Sequence, residues 1–317
     1  MSTAWVPGPV RLADIAELIR APAAFTVPGD VLLGAVTSRQ QPNVRTLGLA
    51  ASSVALYWAG MALNDWADRH VDAVERPERP LPSGRVAPRT ALGVATGLTL
   101  GSLALTHLAA GRRAVLRRAL PLAATIWAYD LGLKSTRWGA PAMALARGLD
   151  VLHGTGSGAA RGAAFPAAVI AVHTHAVTRL SRHEVDGCTG AQPHIALATT
   201  AALSLMACAL PEPGVQGIAA GLEGARGHAP AHAGDSPFPA ARTTMAALYA
   251  ATAGPAQFRA VRRPGAARVR AAVGAGIHAF LPLQAALLAR AGRPVLGSLL
   301  SAALPLATRS ARKVSFT

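Results

Sequence analysis

Residues 90–111 read TALGVATGLTLGSLALTHLAAG, 22 positions from Thr90 to Gly111 without an Asp, Glu, Lys or Arg. A helix rises 1.5 Å per residue, so about 20 apolar residues cross a hydrocarbon core about 30 Å thick. Gly187–Pro211 extends the pattern over 25 uncharged residues, and Thr46–Asn64 and Ala271–Arg290 bracket runs nearly as long. Shorter apolar segments lie at Ala21–Ser38, Ala119–Leu133, Gly139–Ala159, Gly162–Thr178, Ala240–Gln257 and Pro294–Thr308. The expected fold is an all-α integral membrane protein, a single domain over residues 1–317 built as a bundle of about nine transmembrane helices. Residues 1–20 are expected to form an interfacial amphipathic helix through Leu12, Ile15, Leu18 and Ile19. Residues 294–317 are expected to add either a further span or an interfacial helix with a basic tail.

Composition points the same way. Only 15% of the 317 residues are charged, and 31 Lys+Arg against 15 Asp+Glu give a net charge of +16. Soluble domains carry about 25% charged residues, and a basic nucleic-acid binder would not repeat long uncharged apolar runs. No nucleic-acid partner is expected, and membrane lipid is. Basic residues concentrate in cytoplasmic loops; with the N-terminus inside, Arg20, the Arg residues between positions 64 and 90, Lys134, Arg179, Arg182 and the 259–270 cluster fall on that side. Arg112, Arg113, Arg117 and Arg118 then fall outside. The localisation expected is multi-pass in the plasma membrane. Pro211–Pro239 reads as a long Gly/Pro/His-rich loop. Cys188 and Cys208 are too few for a disulfide framework or a metal site.

The scarce acids carry the chemistry. Asn64-Asp65-Trp66-Ala67-Asp68-Arg69-His70-Val71-Asp72 closes an apolar helix, and at 100° per residue Asn64, Asp65, Asp68 and Asp72 share an arc of about 100°. Carboxylates packed so closely call for cations, and Mg²⁺ is commonly held by one or two carboxylates together with substrate phosphates. The next residues are Glu75-Arg76-Pro77-Glu78-Arg79-Pro80-Leu81-Pro82-Ser83-Gly84-Arg85. Their prolines stop the helix and stiffen the loop, and Arg76, Arg79 and Arg85 offer guanidinium groups suited to phosphate oxygens. An acidic helix end followed by a stiff Arg loop reads as a cradle for a metal-bound diphosphate.

This stretch resembles the first aspartate-rich motif of the UbiA superfamily of intramembrane prenyltransferases. The resemblance implies Mg²⁺-dependent transfer of an isoprenyl group from an allylic diphosphate donor to a hydrophobic or aromatic acceptor, in a central pocket opening to the cytoplasmic face. Asp65, Asp68 and Asp72, with Asn64 alongside, would hold Mg²⁺ against the donor's diphosphate. Tyr129-Asp130-Leu131-Gly132-Leu133-Lys134 is similar to the family's Tyr/Lys element, which implies that Lys134 reaches the diphosphate and Tyr129 lines the substrate. The family's second motif, Asp-x-x-x-Asp, corresponds to Thr178-Arg179-Leu180-Ser181-Arg182-His183-Glu184-Val185-Asp186. Ser181 stands where its first Asp is expected. Glu184 and Asp186 are then the acids left for a second Mg²⁺, with Arg182 taking over part of the charge role.

Arg147 and Asp150 fall inside an apolar segment, where ionisable groups mark function or pairing; their spacing allows a mutual ion pair, or Arg147 contacts substrate. His173 and His175 do not share a helix face, and His153 and His278 read as hydrogen-bonded interior histidines. A membrane transporter or lipid-binding protein is the alternative from outside catalysis. It would explain the intramembrane Asp30, Arg147 and Asp150 but not the Arg-Pro loop.

Overall fold

The computed structural model describes residues 11–209 and 239–305. The expected 211–239 loop, almost all of it, and the basic tail after residue 305 lie outside the described residues, as does the first half of the expected N-terminal helix. Among the described residues the chain is entirely helical. A short α1, Leu12–Leu18, leads through a 3₁₀ turn, Ala21–Thr26, into α2, Val27–Thr37. The 32-residue α3, Val44–Glu75, follows, then α4, Pro88–Ala114, and α5, Leu120–Ala128, which continues in a π-helical turn over Tyr129–Leu133. Next come α6, Gly139–His153, α7, Ala164–Ser181, and α8, Gln192–Ala209. After residue 238 the chain resumes as α9, Pro239–Arg262, α10, Ala266–His278, α11, Phe280–Arg290, and α12, Pro294–Ala302.

Among the described residues three helical runs are long and apolar enough to cross a membrane by length and composition, Val44–Glu75, Pro88–Leu133 and Ala266–Arg290, and Ala24–Thr37 is a shorter apolar helix. The 88–133 run is two helices in direction. Gly111 sits at φ 80°, ψ 176° inside it, a conformation only glycine adopts without strain, and the chain turns there between α4 and α5.

Local sequence sets the ends of α3. Asn43 caps it by accepting from the Arg45 amide at 2.9 Å, while the Thr46 hydroxyl accepts from the Asn43 amide in return. At the other end Pro77 and Pro80 forbid continuation. The loop folds back so that Leu81 and Val86 bury beside Leu18, Ala62, Leu63, Ala91 and Ala95. Along its length α3 is tied to α4 by buried hydroxyls, Ser52 lying 2.7 Å from both Ser102 and Thr106.

Glycines decide where α2 and α6 meet. A Cβ at Gly34 would overlap the Val151 carbonyl oxygen, and one at Gly154 would overlap that of Val31. Small residues let membrane helices approach backbone to backbone, and this contact carries Asp30 of α2 to the Arg147 and Asp150 segment of α6. Leu33, Val36, Val151, Ile170, Tyr249, Phe280 and Leu283 form the largest apolar cluster. There His173 is hydrogen-bonded through both ring nitrogens, to the Tyr249 hydroxyl at 2.9 Å and the Gly276 carbonyl at 3.0 Å. Cys188 and Cys208 are free.

Candidate active site

The last turns of α3 present the expected acids, each already facing a cation. Asp65 and Asp72 are buried. Arg20 donates to Asp65 Oδ1 at 3.1 Å, and Arg79 donates to Asp72 Oδ2 at 2.7 Å while approaching Asp65 at 3.7 Å. Lys134 Nζ lies 2.7 Å from Asp68 Oδ1. The Asn64 amide bridges two elements, donating at 3.2 Å to Asp68 and at 3.2 Å to Asp130 on the π-helical turn after α5. Asn64, Asp65, Asp68, Asp72, Arg79 and Lys134 therefore come together as the sequence leads one to expect.

Other expected residues sit differently. Arg85 does not face the carboxylates. Gly84, at φ 78°, turns the chain away, and Arg85 instead donates to Glu17 at 2.6 and 2.9 Å and to Asp14 at 2.8 Å, clamping α1 to the loop. Hydrogen bonds from Arg11 and then Arg85 hold the Asp14 carboxyl down at about 2. Arg182 donates to the backbone carbonyls of Lys134, at 3.0 Å, and Thr136, fixing the turn that carries Lys134. Arg147 and Asp150 do not pair with each other as their spacing allows. Arg147 Nη2 lies 2.8 Å from Asp30 Oδ2, and Asp150 accepts from the Ser53 hydroxyl.

The second acidic stretch follows the end of α7. Glu184 is half-buried and Asp186 exposed. Burial pushes the Glu184 carboxyl up, and the guanidinium groups of Arg270 and Arg76 oppose that shift. Arg270 donates to the Glu184 carbonyl at 2.8 Å, and Arg76 acts on Glu184 through its charge.

Between these elements lies a cavity of about 400 Å³. Arg20, Asn64, Tyr129 and Asp130 line one end; Leu56, Met61, Leu122, Ile126, Val273 and Phe280 are among its apolar walls; Ser53, Tyr57, Arg147 and Asp150 line it farther along α3 and α6. Ser53 is passed over in a reading of the sequence, which names Arg20, Asp30 and Asp130 but does not place them among the site residues. Arg20 reads as a cytoplasmic anchor, and only the fold shows it turned onto Asp65.

Among the described residues no three His, Cys, Asp or Glu side chains converge as a ready metal site, because Arg20, Arg79 and Lys134 are interleaved with the carboxylates. The donor set is nonetheless one Mg²⁺ accepts: hard carboxylate oxygens with the Asn64 amide beside them. The basic groups in contact with those oxygens are of the kind that bind phosphate. An anionic, metal-bound ligand would satisfy both sets.

The fold and site define a class: an all-helical membrane bundle whose apolar cavity ends at Arg20, Asn64 and Asp130, beside a cluster of interleaved acids and bases. The chain belongs to the UbiA prenyltransferase family, which residues 24–187, just over half of its length, match. It is 34% identical over 134 residues to the bacteriochlorophyll synthase 33 kDa chain of Rhodobacter capsulatus, covering 40% of this chain and 43% of that one. It is 33% identical over 99 residues to the digeranylgeranylglyceryl phosphate synthase of Natronomonas pharaonis, covering 31% and 36%. The match thus spans less than half the length of these relatives. In three dimensions the chain resembles the apo structure of a UbiA homolog from Aeropyrum pernix K1, with a TM-score of 0.61 and 19% identity over 84% of this chain and 97% of that one. At that identity the likeness speaks for the fold.

Proposed function

We propose that the protein transfers an isoprenyl group from an allylic polyprenyl diphosphate to a small hydrophobic or aromatic acceptor inside the membrane, with Mg²⁺ as cofactor. The whole chain, residues 1–317, acts as one domain of about nine spans in the plasma membrane, its diphosphate end facing the cytoplasm. The observation that carries this reading is the run of ion pairs Arg20–Asp65, Arg79–Asp72 and Lys134–Asp68 beside an apolar cavity.

Asp65, Asp68 and Asp72 would hold Mg²⁺, with Asn64 positioned by Asp130, and Glu184 and Asp186 would serve a second ion. When bound, Mg²⁺ supplies charge neutralisation to the diphosphate. Arg20, Arg79 and Lys134 exchange their carboxylate partners for phosphate oxygens as the donor enters, and Arg76 adds a guanidinium from the loop. Arg182 keeps Lys134 in place through the backbone it holds. The C1–O bond of the donor breaks with its electron pair leaving on the diphosphate, where fixed positive groups stabilise the developing charge. Apolar walls keep water from the allylic cation, and Tyr129 borders it. A nucleophilic carbon or oxygen of the acceptor bonds to C1, and the proton it loses leaves with the diphosphate or solvent.

Purified protein mixed with geranylgeranyl diphosphate, Mg²⁺ and a total lipid extract that supplies the acceptor should release pyrophosphate, and removing Mg²⁺ should stop the release. A transporter or lipid-binding protein would bind such lipids without releasing pyrophosphate, and that result would overturn the reading.

A further inference from the structure

A second polar group lines the cavity away from the carboxylate end. Ser53 and Asn64 lie about 16 Å apart along α3 at 1.5 Å per residue. Around Ser53 the cavity wall includes Tyr57, Arg147 and Asp150. Asp30 and Asp150 are both buried. Gln284 donates to Asp30 Oδ1 at 2.6 Å. Arg147 stacks 4.4 Å from the Phe280 ring centroid; its Nη2 faces Asp30 Oδ2 at 2.8 Å, and its Nε is buried without a hydrogen-bond partner. An isoprenyl tail packed against this wall would leave those groups unsatisfied, at a cost in free energy. The tail needs only the apolar walls.

Charge decides what does fit. The guanidinium remains protonated. A buried guanidinium also requires at least one ionised carboxylate beside it, so Arg147, Asp30 and Asp150 together are neutral or negative. A carboxylate or phosphate on the ligand would add negative charge to a set with no positive excess. A hydroxyl suits both partners, donating to a carboxylate and accepting from the guanidinium.

We infer that this wall of the cavity binds an uncharged, hydroxyl-bearing head of the acceptor and discriminates against carboxylate- and phosphate-bearing ones. The inference rests on the prenyl-transfer reading, which makes the molecule in the cavity the acceptor. It assigns Asp150 and Arg147 to head recognition, Ser53 to holding Asp150, and Asp30 with Gln284 to holding Arg147.

The test uses two probes that differ only at the head, 4-hydroxybenzyl alcohol and 4-hydroxybenzoate, titrated by saturation-transfer NMR into the full chain in neutral detergent. The wild type should bind the alcohol about tenfold more tightly than the acid, a difference of one like charge at close range. Asp150→Asn, which retains a group able to accept from Ser53, should bring the two affinities within about threefold; Asp30→Asn should do the same and serves if Asp150→Asn does not stay monodisperse. Equal or tighter binding of the acid by the wild type, no saturable binding of the alcohol, or a preference unmoved by both substitutions would overturn the inference. Pyrophosphate release is measured on the same samples. Release with the wrong head preference defeats this inference alone, while the expected preference without release defeats the transfer reading and leaves the binding site standing.

Discussion

Replacing Lys134 by Met removes one charge from the carboxylate end and almost nothing else. Lys134 is the only lysine among the described residues, and its ammonium sits 2.7 Å from Asp68 on the turn that Arg182 braces. The Lys134 and Asp68 side chains are 20% and 33% exposed, so their ion pair contributes at most about 1 kcal/mol to stability. That corresponds to a fall in Tm of no more than about 4 °C for a chain of this size. Loss of a fixed donor to charge developing in the transition state costs about 2.7–4 kcal/mol, or about 10²–10³ in kcat. The expected outcome is a kcat for pyrophosphate release reduced by about 10²–10³ in a protein that stays folded, with Lys134→Arg recovering to within about tenfold because it keeps the charge but not the shape. Steady-state release from geranylgeranyl diphosphate, set against a thermal unfolding curve, separates the two effects. Activity of Lys134→Met within about threefold of the wild type would refute the role given to this lysine, since a single developing-charge contact is worth far more.

Other perturbations follow from the same geometry. Gly34→Ala places a Cβ against the Val151 carbonyl oxygen and should lower stability by about 1–3 kcal/mol, seen as a reduced Tm in detergent. Arg85→Ala should loosen α1, raising hydrogen exchange over residues 12–18, without raising KM for the diphosphate. The Asp14 carboxyl is held below its ordinary 3.8, at about 2, by Arg11 and Arg85. A depressed acid stabilises the folded state above its unfolded value and loses that contribution as pH falls through the folded one, so a carboxyl NMR titration should show Asp14 ionised down to about pH 3 and the α1 clamp failing near pH 2.

Much of the helical plan was legible because a long apolar run without charges favours a helix from its own residues alone. The run 90–111 lies within α4, and described residues 192–209 of the run 187–211 form α8. The Asp65, Asp68 and Asp72 arc was legible for a related reason: all three ride one helix, and helical periodicity fixes their common face. Pairings between elements were not. Asp30 meets Arg147 because Gly34 and Gly154 let α2 and α6 touch, and nothing local to Asp30 announces that contact. Arg85 stands in the same Arg-Pro loop as Arg79, yet the turn at Gly84 separates their fates. The extra break at Gly111 likewise depends on a backbone conformation that a run of small apolar residues leaves open.

The most direct test of the central claim, that the α3 carboxylates hold a Mg²⁺-bound isoprenyl diphosphate for transfer, is pyrophosphate release by wild-type and Asp68→Asn protein side by side in lipid vesicles. Asp68 is partly exposed and the amide is isosteric, so the variant should insert and unfold like the wild type. Given geranylgeranyl diphosphate and a lipid extract that supplies the acceptor, the wild type should show Mg²⁺-dependent release and Asp68→Asn a loss of at least about 10²-fold. Release at the wild-type rate from well-folded Asp68→Asn protein would contradict the claim.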